Sequence, residues 1–124
     1  MTKIMIVDDE QDVELLFRQK FRKELKSGEY DFHFAFNAED ALTYLRTLDP
    51  FDIVLVLSDI NMPGMTGLEL LKVIRNSYPD LRVMMVTAYG DDSNYSKAME
   101  IGANDFITKP VDFVLLKEKI QKLN

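Results

Sequence analysis

The sequence contains no cysteine and only one histidine among its 124 residues. The lack of cysteine excludes disulfides, zinc–thiolate centres and cysteine nucleophiles, and it fits a reducing compartment, so we expect a cytoplasmic protein. A single histidine excludes a metal centre built from several imidazoles. Any metal site in this chain would therefore rely on oxygen ligands, which favour a hard ion such as Mg²⁺.

Long hydrophobic runs and an excess of basic residues are also missing. The longest apolar run covers residues 53–57, far short of the ~20 residues that a membrane-spanning helix needs, so we expect no membrane association. The first residues lack the apolar segment of a signal peptide. Acidic residues outnumber basic ones by 21 to 15, for a net charge of −6. Direct binding to nucleic acid, which needs a basic face, is therefore not expected.

What remains is the composition of one folded domain. Hydrophobic residues make up 47% of the chain and charged residues 29%, which is ordinary for a globular protein and too apolar for a disordered one. The length matches the commonest domain size. No linker or low-complexity tract interrupts the chain, so we expect one domain over residues 1–124, with no output domain in this chain.

Two hydrophobic periods alternate along the chain. Five short runs predict strands: residues 3–7, 32–36, 53–57, 83–86 and 106–107. After each run, apolar residues recur at three- and four-residue spacing, which predicts five amphipathic helices. Five βα units imply an α/β fold, with a parallel sheet and helices on both faces. The strand with alternating phenylalanines fits an edge of that sheet.

Polar residues stand where these strands end: Asp8 and Asp9, Asp59, Thr87, and Lys109. Ligands of open α/β sheets bind beyond the carboxyl ends of the strands, so we expect these side chains to converge. Two carboxylates ~4 Å apart repel by about 4 kcal/mol at an effective dielectric of 20. The site must therefore protonate one carboxylate or hold a cation. Such groups suit phosphoryl transfer, in which a carboxylate can itself accept the phosphoryl group.

Four segments containing these residues resemble the receiver domain of two-component response regulators, the fold of the chemotaxis regulator CheY. They are IVDDE at 6–10, SDINMPGMTG at 58–67, VTA at 86–88 and GANDFITKP at 102–110. Each segment is weak evidence alone, but their order and their places at the strand ends are specific. The resemblance covers essentially the whole chain. It implies a doubly wound (βα)5 flavodoxin-like three-layer sandwich with strand order 2-1-3-4-5.

The resemblance implies a phosphoacceptor switch. Asp59 would take a phosphoryl group from the phosphohistidine of a histidine kinase or of a phosphotransfer protein. Mg²⁺ would bind Asp9, Asp59 and the backbone carbonyl of Asn61, with Asp8 acting largely through water. Lys109 would bind the phosphoryl group.

The resemblance also implies how the signal would leave the site. Thr87 would turn inward toward the phosphoryl group, and Phe106 would follow it. This movement would change the surface of helix 4, strand 5 and helix 5, which an output domain or target protein reads. The bond between Lys109 and Pro110 would be cis. Two residues would tune the lifetime of the phosphorylated state: Asn61 and Tyr89.

Some assignments stay open at this point. Phe106 fits a fixed core aromatic as well as a moving switch, and phenylalanine stands where the family more often has tyrosine. The lysines of the last helix fit a solvated face, but they could instead pair with acids such as Asp105 across a dimer. These lysines are Lys117, Lys119 and Lys122.

Three other functions share parts of the pattern. A phosphatase of the haloacid dehalogenase class needs a second aspartate where Asn61 stands, and its nucleophile lies on the first strand. A flavodoxin-like FMN carrier needs a Ser/Thr/Gly phosphate loop after the first strand, where this chain has acids. A binding-only pseudo-receiver typically lacks an acid, the threonine or the lysine, and all are present here. We therefore expect a signalling module that promotes only its own phosphorylation and dephosphorylation, not an enzyme.

Overall fold

The computed structural model describes residues 2–47, 55–88 and 90–123. Its elements, in chain order, are β1 (Thr2–Val7), α1 (Asp12–Lys20), α2 (Arg22–Ser27), β2 (Tyr30–Ala35), α3 (Ala38–Thr47), β3 (Leu55–Asp59), α4 (Gly67–Ser77), β4 (Arg82–Thr87), α5 (Asp92–Ile101), β5 (Asp105–Thr108) and α6 (Phe113–Leu123). None of the helices in these ranges has the length and apolar character needed to cross a membrane.

The strands form one parallel sheet in the order β2-β1-β3-β4-β5. The predicted strand order and the edge position of the phenylalanine-rich strand are confirmed. That strand spans Tyr30–Ala35, a shift of one to two residues from the predicted 32–36. The third strand extends to Asp59, past the predicted end at residue 57, and predicted residues 53 and 54 lie outside the described ranges.

The sheet separates two apolar cores, because successive side chains of a strand point to opposite faces. Met84 packs into the core under α1 and α6, whereas Met85 packs into the core under α3, α4 and α5. The fold is therefore the three-layer sandwich that the resemblance implies. The carboxyl ends of all five strands share one edge, and this edge carries the site.

The first helix departs from the prediction of five continuous helices. It is divided into α1 and α2 at Phe21, whose φ of −106° and ψ of 21° are not helical. Phe21 is fully buried, and its ring packs against Phe17, Tyr30 and Phe32. The i→i−4 hydrogen bonds from Phe21 to Phe17 and from Leu25 to Phe21 continue across this point, so we attribute the local change in backbone angles to the packing of the ring. As a result, the predicted helix 4–strand 5–helix 5 surface is the α5–β5–α6 surface of the structure.

Candidate functional site

The three predicted carboxylates meet at the carboxyl edge of the sheet. One oxygen from each of Asp8, Asp9 and Asp59 lies within 4.8 Å of the other two. Asp8 and Asp59 are buried, with 7% and 6% of their surface exposed, while Asp9 is exposed. Two buried negative charges and a third at the mouth make a strongly anionic pocket.

Backbone amides hold the two buried carboxylates in place. Asp8 follows β1, and its Oδ1 accepts a hydrogen bond from the Glu10 amide at 2.9 Å. Asp59 ends β3, and its Oδ1 accepts from the Ile60 amide at 2.8 Å. Each bond restricts the rotation of a side chain and satisfies one buried oxygen. The second oxygen of Asp59 contacts Lys109.

Lys109 supplies the positive charge of the site. Its Nζ donates to Asp59 Oδ2 at 3.0 Å, and the Lys109–Pro110 peptide bond is cis. Burial alone would lower the pKa of Lys109, but the hydrogen bond and the attraction to Asp59 outweigh it and raise that pKa. Lys109 is therefore an ammonium ion at neutral pH.

The electrostatics of Asp8 reflect the crowding of acids. Burial raises the pKa of Asp8 to about 6, and the nearby charge of Asp59 adds to this, while the Glu10 amide opposes it. Without a cation, the pocket therefore favours a proton on Asp8 in mildly acidic solution. Both outcomes expected from the sequence, protonation or cation binding, relieve the same repulsion.

The donor set fits a hard divalent ion. The ligand atoms are carboxylate oxygens close enough to share one ion, and oxygen ligands are what Mg²⁺ prefers. Asn61 follows on the loop after Asp59, so its backbone carbonyl stays a predicted fourth ligand.

Gly67 lets α4 approach Asp59. Its amide donates to the Ile60 carbonyl at 2.8 Å, and a Cβ added to Gly67 would collide with the Asp59 carbonyl oxygen. The start of α4 is fixed by a capping box, in which Thr66 and Glu69 exchange side-chain and backbone hydrogen bonds. Sequence reasoning included Gly67 in a motif but missed its role, because only the packed fold shows the close approach.

Thr87 and Phe106 lie on neighbouring strands in different environments. Thr87 ends β4, between the ends of the strands that carry Asp59 and Lys109, and is buried. Phe106 lies outside both cores and is partly exposed. Its ring packs edge-on against Tyr95 of α5, at 4.4 Å between centroids, and Lys119 of α6 lies 5.3 Å from its centroid. The alternative of a fixed core aromatic is thus wrong, and the switch role stays a prediction.

Two lysines of α6 pair within the chain instead of forming only a solvated face. Lys119 contacts Asp105 at 3.1 Å, and Lys117 contacts Glu24 at 2.9 Å. The acid that could have served a dimer contact therefore has a partner in its own chain.

Tyr89 lies outside the described residues, and its predicted role stays a prediction.

Comparison with known proteins gives one consistent result. A family model for the response regulator receiver domain matches residues 4–121. The chain is 37% identical over 118 residues to the response regulator protein PilR of Pseudomonas aeruginosa, covering 95% of the chain and 25% of that protein. It is 36% identical over 123 residues to the chemotaxis protein CheY-3 of Vibrio cholerae, covering 98% of the chain and 90% of that protein.

Solved structures agree with this. A response regulator receiver domain protein from Clostridium thermocellum superimposes with a TM-score of 0.87 at 25% identity, covering 99% of this chain and 94% of that one. The receiver domain of NtrX from Brucella abortus gives 0.79 at 30% identity, covering 98% and 99%. The chain spans only about a quarter of the length of PilR and of FleR, another relative from P. aeruginosa.

Proposed function

The chain belongs to the response regulator receiver domain family, and on that premise we propose that Asp59 is the phosphoacceptor of a two-component phosphorelay. The contact of 3.0 Å between Lys109 Nζ and Asp59 Oδ2, inside a cluster of three carboxylates, carries the proposal. It supports an acceptor carboxylate whose neighbouring cation can move onto a transferred phosphoryl group. A histidine kinase or phosphotransfer protein would supply that group from a phosphohistidine.

Each residue of the site has a distinct part in the transfer. A carboxylate oxygen of Asp59 attacks phosphorus, the bond from phosphorus to the imidazole nitrogen breaks, and its electron pair stays on that nitrogen. The Ile60 amide holds the attacking carboxylate in one orientation. Lys109 keeps its proton and donates it as a hydrogen bond to a phosphoryl oxygen. Mg²⁺, held by Asp8, Asp9, Asp59 and the Asn61 carbonyl, would supply charge neutralisation.

The phosphorylated state would be transmitted through β4 and β5. The hydroxyl of Thr87 would donate to a phosphoryl oxygen, and the ring of Phe106 would leave its contact with Tyr95. Two arrangements of the α5–β5–α6 surface would then differ in population, and an output domain or target protein would bind one of them. The burial of Thr87 and the partial exposure of Phe106 support this assignment. Asn61 and Tyr89 would set the lifetime of the phosphorylated state.

The remaining assignments are proposals of the same kind. The domain would act in the cytoplasm, promote only its own phosphorylation and dephosphorylation, and turn over no separate substrate. The net charge of −6 supports partners other than nucleic acid. That residues 1–124 form one domain without an output domain stays a prediction.

The test is intact mass after incubation with acetyl phosphate and Mg²⁺. We expect one phosphoryl adduct that is lost in Asp59→Asn and when the metal is removed by EDTA. Asp105→Asn is the matched control, because Asp105 also contacts a lysine and the following amide but lies outside the acidic cluster. An adduct that survives in Asp59→Asn would contradict the proposal.

A further inference from the structure

A cavity of about 530 Å³ opens beside the Asp59–Lys109 pair, between the sheet and the helices α1 and α6. The polar end of the cavity is formed by three acids and one lysine: Asp8, Glu10, Asp59 and Lys109. Its helical wall is apolar and includes Val13 and Leu16 of α1, with Val111 and Phe113 at the start of α6. A space of this size, mostly hydrophobic with a few polar groups at one end, is typical of a small-molecule site.

We propose that this cavity receives the leaving group of a small phosphodonor, so that acyl phosphates with a bulky hydrocarbon acyl group phosphorylate Asp59 faster than acetyl phosphate. The inference rests on the proposed function, since it requires Asp59 to be the acceptor. It adds a substrate preference that the acidic cluster alone does not give.

The direction of attack favours this occupant. In phosphoryl transfer the attacking and leaving oxygens lie roughly in line, on opposite sides of phosphorus. Asp59 lies at the carboxyl edge of the sheet and lines the cavity. Val13, Leu16 and Phe113 line the same cavity as Asp59, so a leaving group on the far side of phosphorus has room to lie against the wall formed by α1 and the start of α6. That wall offers hydrocarbon contacts and would leave a hydrated leaving group without polar partners.

The chemistry balances without any further reactant. The bond between phosphorus and the acyl oxygen breaks, a bond forms between Asp59 and phosphorus, and the electron pair leaves with the carboxylate product. No proton has to be transferred. The ammonium of Lys109 matches the negative charge of the transferred group, and the apolar wall matches the acyl group. The two ends of the cavity thus correspond to the two ends of such a donor.

Leu16 and its neighbour Leu15 provide a matched pair of variants. Leu16 lines the cavity and is 41% exposed, so it can be changed without opening a buried core. Leu15 lies on the same helix, is 64% exposed and is absent from the cavity wall. Replacing either leucine by serine makes the same chemical change on α1.

The experiment compares acetyl phosphate with cyclohexanecarbonyl phosphate, whose parent acids have nearly the same strength, so the leaving groups are matched in reactivity. Second-order rate constants are measured by intact mass with Mg²⁺ present. We expect roughly a tenfold higher constant for the cyclohexane donor, the scale on which hydrophobic pockets discriminate substrates. The ratio of the two constants should fall severalfold in Leu16→Ser and stay unchanged in Leu15→Ser.

A binding measurement checks the cavity without any transfer. Cyclohexylmethylphosphonate cannot give up its phosphonyl group. In the presence of Mg²⁺ it should shift the methyl resonances of Val13 and Val111, whereas methylphosphonate should leave them in place.

The outcomes separate the two proposals. If acetyl phosphate labels Asp59 and the cyclohexane donor is no faster, the substrate preference is wrong while the proposed function stands. If the ratio falls equally in both serine variants, the assigned wall is wrong. If neither donor labels Asp59, the substrate preference is wrong, whereas transfer from a phosphohistidine is a separate reaction, and the absence of methyl shifts in the titration would overturn the cavity as a binding site as well.

Discussion

Two aspartate–lysine pairs lie at opposite ends of strand β5 and have similar contact distances, although Lys119 contacts both oxygens of Asp105 and Lys109 only Oδ2 of Asp59. Lys109 lies 3.0 Å from Asp59, and Lys119 lies 3.1 Å from Asp105. In both aspartates Oδ1 also accepts the amide of the following residue at 2.8 Å. The two pairs differ in what surrounds them.

The surroundings decide which pair is a candidate site. Asp59 is buried beside two further carboxylates and lines a cavity, whereas Asp105 is partly exposed and its lysine leans over the ring of Phe106. The first pair holds surplus negative charge that a cation or phosphoryl chemistry can use. The second pair is a surface contact, for which a small energy is usual. Ion-pair geometry alone therefore does not identify function.

The largest difference should appear when each lysine is neutralised. Lys109→Gln removes the only ammonium contact of Asp59 seen in the described residues and should slow phosphorylation by acetyl phosphate about 100-fold, the usual effect of losing one charge-stabilising donor. Lys119→Gln serves as the control, with a rate close to wild type. Equal slowing in the two variants would remove the distinction between the pairs.

The second-largest effect should come from the close approach of Gly67 to the backbone of Asp59. Gly67→Ala should cost about 1–3 kcal/mol of unfolding free energy, because the new methyl group forces α4 away from the Asp59 carbonyl. Urea denaturation gives this value. Gly90→Ala is a useful comparison, since an added Cβ there meets nothing within 4 Å and only the positive φ of 81° opposes it. Unchanged stability in Gly67→Ala would mean that the close approach is not required.

The acidic cluster should also make the stability of the protein depend on pH through Asp8. Because burial raises the pKa of Asp8 to about 6 from an unfolded value of 3.8, the folded state binds the proton more tightly. The metal-free protein should therefore lose stability as pH rises from about 4 to 6, by at most about 3 kcal/mol. Asp8→Asn should remove this loss, as should saturating Mg²⁺.

Urea denaturation at several pH values, with Asp105→Asn as the matched control, measures this effect. The difference between wild type and Asp8→Asn isolates the contribution of Asp8 from that of the other acids. A difference that does not change with pH would show that Asp8 titrates normally.

The smallest change in unfolding free energy is expected from breaking the Asp105–Lys119 pair. Asp105→Asn should lower the unfolding free energy by less than about 1 kcal/mol, as for other partly exposed ion pairs. A double-mutant cycle with Lys119→Gln measures the coupling. Coupling well above this value would show that the pair is part of a stronger network around Phe106.

The sequence predicted the strands well, because hydrophobic period is a local signal, and the resemblance to receiver domains predicted their order. The polar residues at the strand ends predicted the acidic cluster, since the topology of a parallel sheet brings the strand ends together. The change in backbone angles at Phe21 was missed, because the apolar spacing continues through it and only the packing of its ring alters the backbone there. The pairing of Lys119 with Asp105 within one chain, considered only across a dimer, and the contact of Gly67 with Asp59 were missed as well, since both depend on how distant elements pack.

Strand β5 has only four residues, and it pairs with β4 alone. Phe106 lies on this strand and Lys109 directly follows it, so the proposed phosphoryl-binding group and the proposed switch residue are three positions apart. A shift of β5 breaks hydrogen bonds with one neighbour, whereas a shift of β3 would break them with two. The amides of β5 should therefore exchange with solvent deuterium sooner than those of β3. Under the proposed function, the segment that would respond to the acidic pocket is thus an edge strand with one neighbour in the sheet, and this would lower the energy needed to convey a change from one surface to another.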